Sequence, residues 1–274
     1  MERSSRWYFE PWFLVEVFCL ANVAFLTLDI LLAHSFNEFR KWQEYIPLYF
    51  SASSPVLLAI GLSVRPRWPA VWRDLGYFVG WGAILIGLTG VVLHLDSSFF
   101  YERTIKSLTY SAPFIAPLAY SGVGFLLVMN RMVDANSREW AEWTLFFAFG
   151  GFVGNFGLTV SDHAENGFFY PTEWIGVAAS AIAVGFLVVP LLMRVSRSFL
   201  LLCALILLVE AGVGMWGFFL HANANLHGPS IHMLKNFTFG AAPFAPLLFP
   251  NLALLGWIAL WRLKELASQS GSRV

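Results

Sequence analysis

Gly87-Leu88-Thr89-Gly90-Val91-Val92-Leu93-His94 returns 127 residues later as Gly214-Met215-Trp216-Gly217-Phe218-Phe219-Leu220-His221. The shared pattern, G-x-x-G-x-x-L-H, puts two glycines four and seven residues before a histidine, on the histidine's own helix face, and leaves that flank bare. Each copy closes an apolar run long enough to cross a bilayer. A spanning helix that occurs twice decides the fold: a membrane protein of two like halves.

Composition agrees. A chain of 274 residues that is 58% hydrophobic, 17% aromatic and 12% charged cannot bury its apolar surface in one water-soluble core. Zero net charge excludes a strongly basic nucleic-acid surface. Cys19 and Cys203 both fall in apolar segments, which argues against a disulfide framework. Arg3 and Arg6 precede the first apolar run as in a signal peptide, but that run is long enough to span and is read as an uncleaved first helix.

Eight apolar segments of spanning length are expected, near Trp12 to Ala33, Ile46 to Val64, Leu75 to Leu95, Leu108 to Met129, Trp143 to Ser161, Trp174 to Leu192, Phe199 to Leu220 and Phe237 to Leu260. Twelve basic residues fall on the side of the termini and five opposite: Arg40, Lys41, Arg103, Lys106 and Lys235. The positive-inside rule then predicts both termini in the cytoplasm, with a bacterial inner membrane as the setting.

The duplication extends along the chain. At an offset of 129, His34 maps to His163, Asn37 to Asn166, Phe39 to Phe168, Glu44 to Glu173, Ser51 to Ser180 and Arg65 to Arg194. Ala112-Pro113-Phe114-Ile115-Ala116-Pro117 recurs, with a short gap, as Ala242-Pro243-Phe244-Ala245-Pro246. The fold class expected is therefore an all-α polytopic membrane protein with eight transmembrane helices in two tandem, parallel four-helix repeats, residues 1–132 and 133–274.

All six histidines fall at the outer helix ends or in outer loops. Helix dipoles and the headgroup region favour histidine there without any ligand. The regular placement of four of them supports ligation or proton chemistry as the other reading. For His94 and His221 the specific expectation is axial ligation of a b-type haem, one histidine from each half. Gly87, Gly90, Gly214 and Gly217 would admit the macrocycle. Against this, paired small residues also serve close helix packing.

His34 and His163, with Glu44 and Glu173 ten residues on, form the candidate transition-metal set, for iron or copper among others. Glu38, Asp162 and Glu165 are further oxygen donors, while pairing of Glu44 and Glu173 with Arg40, Lys41 or a histidine at a wet surface is the alternative. His227 and His232 are expected in a long outer loop beginning at His221. Glu210 and Asp29 are the ionisable groups set inside the bilayer, as a proton relay or polar core, and their counterparts in the other half are Ala83 and Leu158. Glu16 is expected to reach the headgroups. Prolines 113, 117, 243, 246 and 250 free backbone carbonyls in the fourth and eighth segments, at the level of the histidines.

In broad plan, eight helices in two four-helix halves with outer histidines, the chain resembles haem A synthase. That family's glutamate and histidine-arginine motif is absent, and its histidines lie on the even helices, so no residue or activity carries over. Three functions fit the sequence: a haem or metal protein in electron transfer, working with other membrane subunits or a quinone; a small-solute or proton-coupled transporter; and a structural or assembly subunit.

Overall fold

The computed structural model describes residues 10–270. Arg3, Arg6 and Arg273, three of the twelve basic residues expected on the side of the termini, lie outside them. Eleven α-helices are present among the described residues: α1 (Pro11–Ser35), α2 (Tyr45–Val64), α3 (Pro69–Leu95), α4 (Phe99–Glu102), α5 (Ile105–Thr109), α6 (Leu118–Met132), α7 (Arg138–Glu165), α8 (Glu173–Leu192), α9 (Arg197–Leu226), α10 (Met233–Phe239) and α11 (Leu248–Ser270). Among the described residues, seven helical stretches are long and apolar enough to cross a membrane: α1, Trp42–Val64, α3, α7, α8, α9 and Ala245–Ser268. Their outward faces carry large apolar side chains, among them Leu28, Leu85, Leu205, Leu208, Val209 and Met215. Water would not tolerate such a surface; hydrocarbon does. The architecture is that of a multi-pass integral membrane protein.

The fourth segment departs from the sequence expectation. Instead of one helix from Leu108 to Met129, the chain makes the short α5, an irregular stretch around Pro113 and Pro117, and then α6 of 15 residues. The prolines lack the N–H groups that would carry the helix through. The last segment is treated alike: Pro243 and Pro246 hold the chain out of the α-helix until Leu248. Conversely α9 runs through His221 to Leu226, where a loop was expected.

Helix starts on the arginine-rich face are locally encoded. Pro11 and Pro69 occupy first-turn positions of α1 and α3, where their missing N–H costs nothing. Ser137 and Ser196 cap α7 and α9, accepting from the N–H groups of Trp140 at 3.1 Å and Phe199 at 3.3 Å.

Packing follows two closed rings. α1 touches α2, α2 touches α3, α3 touches α6 and α6 touches α1; α7, α8, α9 and α11 repeat the cycle. The rings meet where α6 packs on α7 and α11 on α1. On the first seam, Phe125 and Phe147 stack at 6.5 Å, backed by Trp143. On the second, the Asn22 and Asn251 amides bond each other beside an apolar groove of about 350 Å³ lined by Phe13, Val17, Phe18 and Leu254. Asn130 ties α1, α6 and α7 together, donating to the Trp12 carbonyl at 3.0 Å and accepting from the Trp140 indole at 3.1 Å.

Glu16 does not reach the headgroups. It is fully buried in a two-pronged ion pair with Arg131, whose guanidinium also lies 3.8 Å from the centre of the Trp72 ring. Arg65, just past α2, covers Trp12 at 3.7 Å. Partial burial, and then the nearby Arg131 charge, push Arg65 below its ordinary value.

Candidate functional site: two histidine–glutamate clusters

The end of α1 is shaped by a turn in which the His34 carbonyl accepts from the N–H groups of Asn37 at 3.1 Å and Phe39 at 3.3 Å. Glu38 and Phe39 take left-handed conformations, with φ of 58° and 50°. The turn reverses the chain, lays the Phe39 ring 5.8 Å from that of His34, and returns Glu44 beneath the imidazole at the mouth of α2. The end of α7 is built the same way. The His163 carbonyl accepts from Phe168 N–H at 2.9 Å, Gly167 and Phe168 are left-handed at 71° and 54°, and the Phe168 ring sits 6.1 Å from that of His163.

Each turn delivers the same result. His34 Nδ1 stands 3.8 Å from Glu44 Oε2, and His163 Nδ1 stands 3.7 Å from Glu173 Oε2. A second histidine joins each pair from the next odd-numbered long helix: His94 of α3 lies with its ring centre 6.2 Å from that of His34, and His221 of α9 lies 6.2 Å from His163. Two clusters result, His34–Glu44–His94 and His163–Glu173–His221.

The second histidine of each cluster is held by a backbone carbonyl freed by a proline segment. His94 Nδ1 donates to the Pro113 carbonyl at 2.9 Å and His221 Nδ1 to that of Ala242 at 2.7 Å. A carbonyl only accepts, so Nδ1 carries a proton, and in the neutral ring that tautomer leaves the lone pair on Nε2. Each acceptor stands four residues before a proline, Pro117 and Pro246, which has no N–H to offer it.

The carboxylates are unusual for a wet surface. Glu44 and Glu173 side chains are only 13% and 10% exposed, and in each the Oε2 atom is buried without a hydrogen-bond partner. A buried carboxylate oxygen left bare costs of the order of 1–3 kcal/mol or more. The clusters differ in one respect: Asn166 donates to the other oxygen of Glu173 at 3.2 Å. Neither glutamate pairs with Arg40 or Lys41; Arg40 instead reaches Glu38 at 3.9 Å on the exposed turn.

Other expected residues lie elsewhere. The pairing of His94 with His221 is replaced by pairing of each with the histidine of its own ring. The glycine flanks expected to face a macrocycle are filled. A Cβ on Gly87 would meet the Ser121 nitrogen at 2.7 Å and the Pro117 carbonyl at 2.8 Å; one on Gly214 would meet Phe249 Cβ and the Pro246 carbonyl, both at 2.6 Å. Gly90 and Gly217 face Pro117 and Pro246 at 2.8 and 3.0 Å. These glycines let α3 and α9 approach the proline-led starts of α6 and α11.

Asp162 and Glu165 turn away from His163 to line a small pocket with Pro113, Phe114 and Ile115. His227 bonds the Asn223 carbonyl at 2.9 Å at the end of α9, and His232 precedes α10; both are exposed. Asp29 is half-buried on α1, one turn inward of His34, and Glu210 is buried in α9. The Glu16–Arg131 pair was missed as a unit because its members are 115 residues apart.

As placed, no three histidine, cysteine, aspartate or glutamate side chains among the described residues converge tightly enough to hold a metal ion. A first-row ion with bonds near 2.1 Å sets tetrahedral ligand atoms about 3.4 Å apart. The His–Glu separations of 3.8 and 3.7 Å exceed that by a few tenths of an ångström. No protein family, no curated protein and no solved structure matches the chain.

Proposed function

We propose that this is an integral membrane metal-binding protein of two tandem four-helix repeats, residues 1–132 and 133–274, each carrying one transition-metal site of two histidines and one glutamate. The observation that carries the reading is the bare, buried Oε2 of Glu44 and of Glu173, each facing an imidazole across a gap too wide for a hydrogen bond. A cation satisfies such an oxygen, and two imidazoles with one carboxylate suit iron, zinc, manganese or copper(II) rather than a thiolate-preferring ion. The carbonyls behind His94 and His221 supply the outer contact that fixes tautomer and ring orientation of a metal-bound histidine.

The α6 segment counts as an eighth crossing in this reading. Both termini are then cytoplasmic and the clusters face the periplasm of a bacterial inner membrane, consistent with Arg131, Arg138, Arg194, Arg197 and Arg262 at the opposite face. In a redox role, the two ions would exchange electrons with another membrane subunit or a quinone. A haem between the halves is not part of the proposal, since the flanks meant for it are occupied by proline.

Cobalt(II) titration of the purified protein, followed by its visible ligand-field bands and by elemental analysis, tests the reading. Two equivalents per chain are expected, falling to one in either His94→Ala or His221→Ala and to none in the double variant. A protein that takes up no cobalt, zinc or iron overturns it.

A further inference from the structure

The two rings are alike at their histidine ends and unlike inside. In the first, Ile30, Ala83 and Tyr120 form a buried apolar cluster with Leu26, Leu48 and Phe50 against it. In the second, the positions matching Leu26, Ile30 and Ala83 are Asn155, Thr159 and Glu210. Glu210 is 1% exposed with Oε2 lacking a partner, and Asn155 is 3% exposed with Nδ2 lacking a partner. The Thr159 hydroxyl donates to the Asn155 carbonyl at 2.8 Å.

These residues fall in a column. His163 and His221 stand at one level, their ring centres 6.2 Å apart. Counting inward at about 1.5 Å per residue, Thr159 lies about 6 Å, Asn155 about 12 Å and Glu210 about 16 Å below that level. α7 and α9 occupy opposite corners of their ring, so buried groups on them point to the same interior. The buried side chains that α7, α8 and α11 contribute at Glu210's depth are Phe152, Ala183 and Ala253, none of them titratable. Arg262 sits at the far end of α11, bonded to Asn136.

We propose that Glu210 is a proton-binding site in the core of the second repeat, loaded from the histidine face along Thr159 and Asn155, while the first repeat is sealed at the same place by leucine, isoleucine and alanine. The proton is passed from hydronium at the histidine face, which is left as water, to the Glu210 carboxylate, which becomes the neutral acid. Glu210 Oε2 and Asn155 Nδ2 are a complementary acceptor and donor, and a water entering the ring would supply either with the partner it lacks. A lone carboxyl in this position costs several kcal/mol unless it can be neutralised or solvated. The inference stands whether or not the nearby cluster binds a metal, because it uses only the level of the two histidines.

The test is infrared spectroscopy of the full chain in lipid. Subtracting Glu210→Gln from the unmodified protein isolates the carbonyl stretch of the Glu210 acid, and transfer to D2O times its proton exchange. The expected result is a Glu210 acid band that shifts promptly in D2O, and at least tenfold more slowly in Asn155→Leu/Thr159→Ile, which installs the residues of the first repeat. Absence of an acid band overturns the proposal, as does equal exchange in that variant. If the double variant fails to fold, the near-isosteric Thr159→Val decides: slowed exchange supports the column, and unchanged exchange overturns it.

Discussion

Arg131 grips Glu16 with both terminal nitrogens, at 2.6 and 2.7 Å, and neither side chain has any exposure to solvent. The pair joins α6 to α1, and Gly76 of α3 leaves the room its guanidinium occupies. Removing one partner strands the other. Glu16→Leu alone is expected to cost about 3–5 kcal/mol, whereas Glu16→Leu/Arg131→Leu recovers most of it. Thermal unfolding of the three variants in one detergent checks this; a double variant no better than the single shows that the pair adds more than it costs.

Glycine substitutions should separate by what stands opposite. Gly87→Ala and Gly214→Ala drive a methyl into the backbone of the next helix and should lose several kcal/mol or fail to accumulate. Gly212→Ala meets nothing within 4 Å and should gain up to about 1 kcal/mol from helix propensity. Midpoints of heat denaturation, measured side by side, give the order.

The turn after α1 carries a cost that its twin avoids. Glu38 adopts φ of 58°, while the matching position is Gly167, at 71°. Glu38→Gly should therefore stabilise by about 1 kcal/mol. The change also removes the exposed contact with Arg40, worth little at the surface. An unfolding midpoint unchanged or lowered would contradict the strain argument.

Metal should act as a stabilising ligand. At a hundredfold excess over the dissociation constant, one bound ion adds about 2.7 kcal/mol. Zinc is expected to raise the unfolding temperature of the unmodified protein, and chelator to reverse it. His34→Ala and His163→Ala should each remove part of the rise, and together all of it. The same shift persisting in the double variant would place the ion elsewhere.

Much of this organisation is legible in the sequence, and the rest has identifiable reasons for being hidden. Of the eight crossings expected from apolar length, seven correspond to helices long and apolar enough to span, and the 129-residue offset alone relates His34 to His163 and Glu44 to Glu173. Hydropathy could not see that Pro113 and Pro117 break the fourth segment, since the flanking residues are as apolar as a helix requires. Nor does periodicity report which helices meet. His94 and His221 look like partners because their motifs match, yet matching motifs mark equivalent places, and equivalent places in a closed ring lie in different rings. The neighbour of a glycine face is likewise invisible: Pro117 and Pro246 fill it from segments some 27 and 29 residues further along. The Glu16–Arg131 pair depends on long-range packing that only the folded chain supplies.

The brevity of α6 bears on how the protein is made. At 15 residues it is about 22 Å long, against a hydrocarbon thickness near 30 Å, and it carries Asn130 and Arg131 in its last turn. Such a segment is a poor substrate for insertion on its own. Its partners α1 and α3 are synthesised before it, with Glu16 already in the membrane to receive the arginine and Gly76, Gly80 and Gly87 already cleared along the receiving face. In the eight-crossing arrangement proposed above, assembly of the first ring is thereby sequential: the early helices form the dock, and α6 is admitted by the protein rather than by the lipid.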